Sequence, residues 1–183
     1  MLYDILLQHP EALGAMIRRT PPWVWGLFAV LIALGASQLR DRTASLVRVS
    51  LIPVGMTAFS AWGTWSAFGH TPLGAEVLAV WIGMALAVTA AVAPGRTAAT
   101  YDPARREYRM PGSVVPLLLI AGIFMTKWLV GVQLAMLPRL AADAGFALPV
   151  AALYGVFTGL FAGRAARLWR LALRPVAGLP AIA

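Results

Sequence analysis

Five apolar runs of near membrane-spanning length divide this chain from end to end. They occupy residues 23–39, 46–68, 73–93, 114–137 and 146–162. An α-helix rises about 1.5 Å per residue, so about 20 apolar residues cross a hydrocarbon layer of about 30 Å. The runs are punctuated as helix ends are. Arg18 and Arg19 precede the first, and Arg40, Asp41 and Arg42 follow it. Pro94 and Gly95 close the third, while Pro111, Gly112 and the candidate cap Ser113 open the fourth. Of the 183 residues, 60% are hydrophobic and 12% charged, where soluble domains carry about 45–50% and about 25%. The pattern excludes a disordered chain. It predicts an all-α fold, a polytopic transmembrane helix bundle of five spans that forms a single domain over residues 1–183.

The charge is partitioned along this frame. Lys and Arg number 15 against 7 Asp and Glu, a net charge of +8. With five spans, Arg18, Arg19 and Arg139 fall on one side. Arg40, Arg42, Arg48, Arg96, Arg105, Arg106, Arg109, Arg164, Arg167, Arg170 and Arg174 fall on the other. Basic residues beside spans stay cytoplasmic. The N-terminus is therefore predicted outside and the C-terminus in the cytoplasm. Dropping the first or the fifth span would scatter the arginines over both faces. Charge laid out this way reports topology and lipid contact, and argues against a nucleic-acid partner.

Two polar segments stand on the arginine-rich side. Residues 95–112 form the longest polar loop, where Tyr101-Asp102-Pro103 and Glu107-Tyr108 read as a small hairpin or turn. Arg105, Arg106 and Arg109 there are predicted contacts for anionic headgroups, at about 1 kcal/mol of attraction per basic residue. Arg164, Arg167, Arg170 and Arg174 recur every three or four residues beyond the fifth span, beside Leu168, Trp169 and Leu171. They read as a basic amphipathic continuation of the helix with the same lipid partner. At the other end, residues 1–19 place Leu2, Ile5, Leu6, Leu13, Met16 and Ile17 around Pro10. They read either as a short interfacial helix or as a polar tail.

Within the spans, the most specific pattern concerns packing. Ala147, Ala151, Gly155, Gly159 and Gly163 recur every fourth position in the fifth span. Ala75, Ala79, Gly83, Ala87 and Ala91 do so in the third, and Ala29, Ala33 and Ser37 in the first. In lipid, small residues let helix backbones approach closely. The Ala151, Gly155, Gly159, Gly163 face is the candidate packing face, within one chain or between copies. Gln38, Ser60, Thr64, Thr89, Thr126 and Gln133 are expected to hydrogen-bond between helices. Pro53 and Pro116 are expected to kink their helices, and Pro149 to sit harmlessly in a first turn.

Glu76 is the one acid inside a span, and Lys127 the one charge deep within one, Arg48 standing just inside the start of the second. A charge at depth costs several kcal/mol unless paired or hydrated. Glu76 is near the outer end of the third span, and Lys127 is predicted to reach outward to it as an intramembrane pair. Little else carries chemistry. The chain has no cysteine, and its two histidines, His9 and His70, have no companion at metal-ligand spacing. Phosphate loops, nucleophile elbows and zinc-helix motifs are missing from the sequence. No catalytic residue, cofactor or metal is assigned, and a non-enzymatic role is expected.

Several ordered pieces resemble a known family. They are His9-Pro10, Trp23-Val24-Trp25-Gly26, Gln38-Leu39-Arg40-Asp41-Arg42, Arg48 with Ile52-Pro53, and Tyr101-Asp102. Pro111-Gly112-Ser113, Pro116-Leu117, Ile123-Phe124-Met125-Thr126-Lys127, and Leu153-Tyr154-Gly155 through Arg164 complete the set. The chain resembles a family of small bacterial integral inner-membrane proteins with a domain of unknown function. The resemblance covers nearly the whole chain and implies a helical inner-membrane protein. The expected role is association, as a homo-oligomer or as an accessory subunit of a larger membrane complex. The alternative is a small transporter or channel subunit with a polar path through Glu76 and Lys127.

Overall fold

A computed structural model describes residues 14, 17–18 and 20–173. The segment 1–19 read above as an interfacial helix or tail, and Arg174, therefore lie outside the described residues or are barely represented among them. The chain is mostly helical. Its five long helices are α1 (Pro22–Ala36), α2 (Leu46–Phe68), α3 (Gly74–Val92), α4 (Val115–Met136) and α5 (Ala144–Leu173). Among the described residues, these are the helices long and apolar enough to cross a membrane, counting the 3₁₀ turn Ser37–Leu39 with α1.

Helix boundaries follow local chemistry. Ser45 caps α2, its hydroxyl accepting from the Arg48 amide at 3.4 Å. Asp143 accepts from the Gly145 amide at 2.7 Å and starts α5 two residues before the expected position. Pro149 thus lies inside α5 rather than in its first turn. Pro116 is the second residue of α4, where a proline needs no kink, contrary to the sequence expectation. Ser113 precedes that helix and accepts from the Val115 amide at 3.3 Å.

The all-α expectation is corrected by a three-stranded antiparallel sheet in the order β1–β3–β2, formed by β1 (Arg42–Ser45), β2 (Thr100–Asp102) and β3 (Glu107–Met110). The hairpin β2–β3 turns at Asp102, which accepts from the amides of Ala104 and Arg105, and at Arg106, held at φ 53°. The third strand comes from the connection after α1, with Ala44 opposite Tyr108. Pairing β1 with β3 places the α1–α2 and α3–α4 connections at one end of the same unit.

The chain divides into two compact units. The smaller, Met1–Leu39 with Ser113–Leu137, pairs α1 with α4 antiparallel. Phe28 stacks on Phe124 at 4.4 Å, and Trp25 meets Trp128 at 5.8 Å. Gly35 sits so close to Leu117 that an added Cβ would lie 2.7 Å from its Cδ1. The larger, Arg40–Gly112 with Pro138–Ala183, contains α2, α3, α5 and the sheet. There α3 and α5 run parallel, Gly155 lying against Trp81 and Ala85, Gly159 against Ala85 and Val88, and Gly163 against Thr89 and Val92.

Candidate functional site

The arginine-rich end of the larger unit rests on a helix terminus. The last carbonyls of α3 have no partner inside the helix. Two arginines of α5 supply donors. Arg167 donates from Nη2 to the Val92 carbonyl at 2.5 Å and from Nη1 to the Arg96 carbonyl at 3.1 Å. Arg170 donates from Nη1 to the Ala93 carbonyl at 3.1 Å. Guanidinium groups there also meet the negative end of the helix dipole, a gain of about 0.3–1 kcal/mol each. Gly95 makes the approach possible, because a Cβ at that position would stand 2.6 Å from Arg167 Nη2.

The sheet then covers the apolar side of the same helix segment. Tyr108 is fully buried, and its hydroxyl donates to the Leu168 carbonyl at 3.0 Å. With Ala44 and Val49 it forms a small core, against which Tyr101, Met110, Leu168, Leu171 and Ala172 pack. Burial, and then the neighbouring Tyr101, push the Tyr108 phenol above its ordinary range. Leu168 and Leu171, read from sequence beside the arginines of a basic amphipathic segment, pack against the chain's own sheet.

Around this core guanidinium groups lie within electrostatic range of one another. Burial, and then Arg48, hold the Arg42 guanidinium below its usual value. Arg164 lies within electrostatic range of Arg167 and Arg42. Nearby acids serve backbone amides instead, Asp41 accepting from Gly112 at 2.8 Å and Asp102 from its own turn. Beside Arg167 a cavity of about 310 Å³ is lined by Ala93, Pro94, Gly95, Arg96, Thr97, Arg167, Arg170 and Leu171. Arg167 Nε is buried and has no hydrogen-bond partner among the described residues.

The other expected residues are distributed as follows. Arg105, Arg106 and Arg109 are exposed on the hairpin. Ala151, Gly155, Gly159 and Gly163 are buried, with the three glycines against α3 of the same chain. The third-span stripe behaves oppositely. Ala75, Ala79, Gly83, Ala87 and Ala91 are exposed, and nothing lies within 4 Å of a Cβ built on Gly83. In α1, Ala29, Ala33 and Ser37 are exposed too, while Gly35 makes the contact with α4. Ser60 and Thr89 bond between helices, whereas Thr64 and Thr126 donate back to carbonyls of their own helices.

Glu76 is exposed in the first turn of α3, where a carboxylate complements the positive helix end. Lys127 is half-buried in α4 and belongs to the smaller unit, Glu76 to the larger. Trp128, one residue on, donates to the Thr20 hydroxyl at 3.0 Å. Lys127 therefore stands near the level at which α1 begins. Sequence reasoning did not single out Arg42, Arg96 or Gly95 as site residues. The available signal was the helix stop Pro94-Gly95 followed at once by a basic residue.

A protein-family model described as a family of unknown function (DUF6622) matches residues 1–177. The chain belongs to this family. Membership in DUF6622 reaches from the N-terminal segment through all five long helices. No curated protein and no solved structure matches the chain. The DUF6622 description carries no activity, so residue roles come from the geometry alone.

Proposed function

We propose that this chain is a non-enzymatic integral membrane protein that acts by association, with copies meeting along the outward face of α3. The observation that carries this reading is the stripe Ala75, Ala79, Gly83, Ala87 and Ala91, small residues every fourth position left exposed. Glycine inside a helix weakens it, and small side chains in lipid favour close helix approach. The glycine face of α5, the first candidate from sequence, is occupied within the chain and is not available to a second copy. An accessory role in a larger complex would use the same α3 face. The setting is a bacterial inner membrane, with the arginine-rich end in the cytoplasm against anionic headgroups.

Gly83→Leu tests the reading. The site is open, so the fold is expected to survive while the native mass in nanodiscs falls to one chain of 19.5 kDa. A parent protein that is already a single chain in nanodiscs overturns the homo-oligomer. The absence of cysteine makes orientation testable on the same protein. A cysteine replacing Arg105 is expected to react with an impermeant thiol reagent only in inverted vesicles.

A further inference from the structure

The cavity at the end of α3 has the chemistry of an anion site. Arg96, Arg167 and Arg170 line it together with Thr97, and no carboxylate does. Most of the donors of these side chains are not engaged by the fold. Arg167 uses Nη1 and Nη2 on carbonyls, yet its Nε is buried with no partner among the described residues. Arg170 bonds one carbonyl through Nη1. Arg96 contributes its carbonyl to the fold, and the residue lines the cavity with an exposed side chain. Arg164, within range of Arg167, adds positive potential behind this wall.

The level in the membrane is equally specific. α3 has 19 residues, about 28 Å at 1.5 Å per residue, close to the hydrocarbon thickness of about 30 Å. If α3 spans, the residues directly after Val92 stand among the headgroups. We propose that this cavity binds one phosphate group, that of an anionic phospholipid headgroup or of a soluble phosphate ester, held by Arg96, Arg167 and Arg170. Arginine suits the task because its planar fork bonds phosphate oxygens in pairs. At about 310 Å³ the space admits a glycerophosphate. The proposal rests on the reading that this end lies at headgroups, and narrows a diffuse attraction to one stoichiometric site.

The test is native mass spectrometry of the full chain in detergent, with phosphatidylglycerol, phosphatidylcholine or glycerol 1-phosphate added. One phosphatidylglycerol is expected to be retained per chain in preference to phosphatidylcholine. Arg96→Gln is expected to weaken retention about tenfold, the loss of one charge-assisted bond. Arg105→Gln removes the same charge from the headgroup contacts outside the cavity and is expected to weaken retention less than Arg96→Gln does. Arg96 is chosen because its side chain, unlike that of Arg167, holds no helix end; Arg170→Gln is the second variant. Saturable binding of glycerol 1-phosphate that Arg96→Gln also weakens, with no lipid selectivity, supports the phosphate site and assigns it to a soluble ester. Equal losses in Arg96→Gln and Arg105→Gln overturn the site and leave the headgroup reading standing. Retention of neither anion overturns both.

Discussion

The Tyr108 hydroxyl donates to the Leu168 carbonyl at 3.0 Å, and this contact fastens a three-stranded sheet to the basic end of α5. Residues 60 positions apart are joined by one buried phenol. Removing the hydroxyl in Tyr108→Phe is expected to cost about 1 kcal/mol, the net worth of a typical hydrogen bond. The ring keeps its packing, so the sheet should persist.

The same residue sets a pH dependence. Its folded pKa is raised above the ordinary phenol value of about 10. Folding therefore favours the neutral phenol. That contribution is complete below pH 10 and is lost as pH rises through the unfolded value towards the folded one. Thermal unfolding between about pH 9 and pH 11 should show a decline in Tm for the parent that is smaller in Tyr108→Phe. An identical decline in both proteins would place its origin elsewhere.

Two glycines distinguish the two faces of the α3–α5 pair. In Gly159→Ala the new methyl would stand 2.6 Å from the Ala85 carbonyl and 2.7 Å from Val88 Cβ. Backbone cannot yield there as a side chain can, and the expected loss is about 1–3 kcal/mol. Gly83→Ala meets nothing within 4 Å and should be neutral or gain up to about 1 kcal/mol from helix propensity. Equilibrium unfolding in mixed detergent micelles measures both. Equal losses in the two variants would contradict the packing described here.

A polar node ties three helices of the larger unit. Ser60 Oγ accepts from Trp81 Nε1 at 3.2 Å and from the Thr158 hydroxyl at 2.9 Å. Ser60→Ala and Thr158→Val are each expected to cost about 0.6–1.7 kcal/mol, the range for hydrogen bonds between membrane helices. A double-mutant cycle should show non-additivity, because both variants remove the same bond. Strict additivity would show that the hydroxyls act separately.

In the smaller unit, Trp128→Phe keeps an aromatic ring against Trp25 and removes the bond to Thr20. The start of α1 should loosen, seen as faster amide hydrogen exchange at residues 23–26. Exchange at the Gly35–Leu117 contact, at the opposite end of the pair, should stay as in the parent.

Much of the helical layout was legible from sequence because hydropathy is a local sum over about 20 residues. The apolar run 46–68 coincides with α2 to the residue. The hairpin around Tyr101 and Tyr108 was legible through Asp102-Pro103. Strand β1 was not, because Arg42–Ser45 has no alternating pattern and becomes a strand only by pairing with Glu107–Met110. Of the candidate site, the arginines were visible but their grouping was not. Arg167 meets Val92 and Arg96 across more than 70 positions.

By itself, the sequence determined the number of long apolar helices, the segregation of arginines and the supply of small residues for close packing. These follow from composition along a line and from the helical repeat. The tertiary structure decided which small residues are used. α5 turns Gly155, Gly159 and Gly163 against α3, while α3 turns Trp81, Ala85 and Val88 back and leaves its own small-residue stripe outside. It also decided that α5's basic end caps α3 and carries a sheet on its apolar side. A fourfold repeat marks one face of a helix but not the angle at which that face is presented. The angle is set by the neighbour whose side chains fill the groove and whose carbonyls need donors.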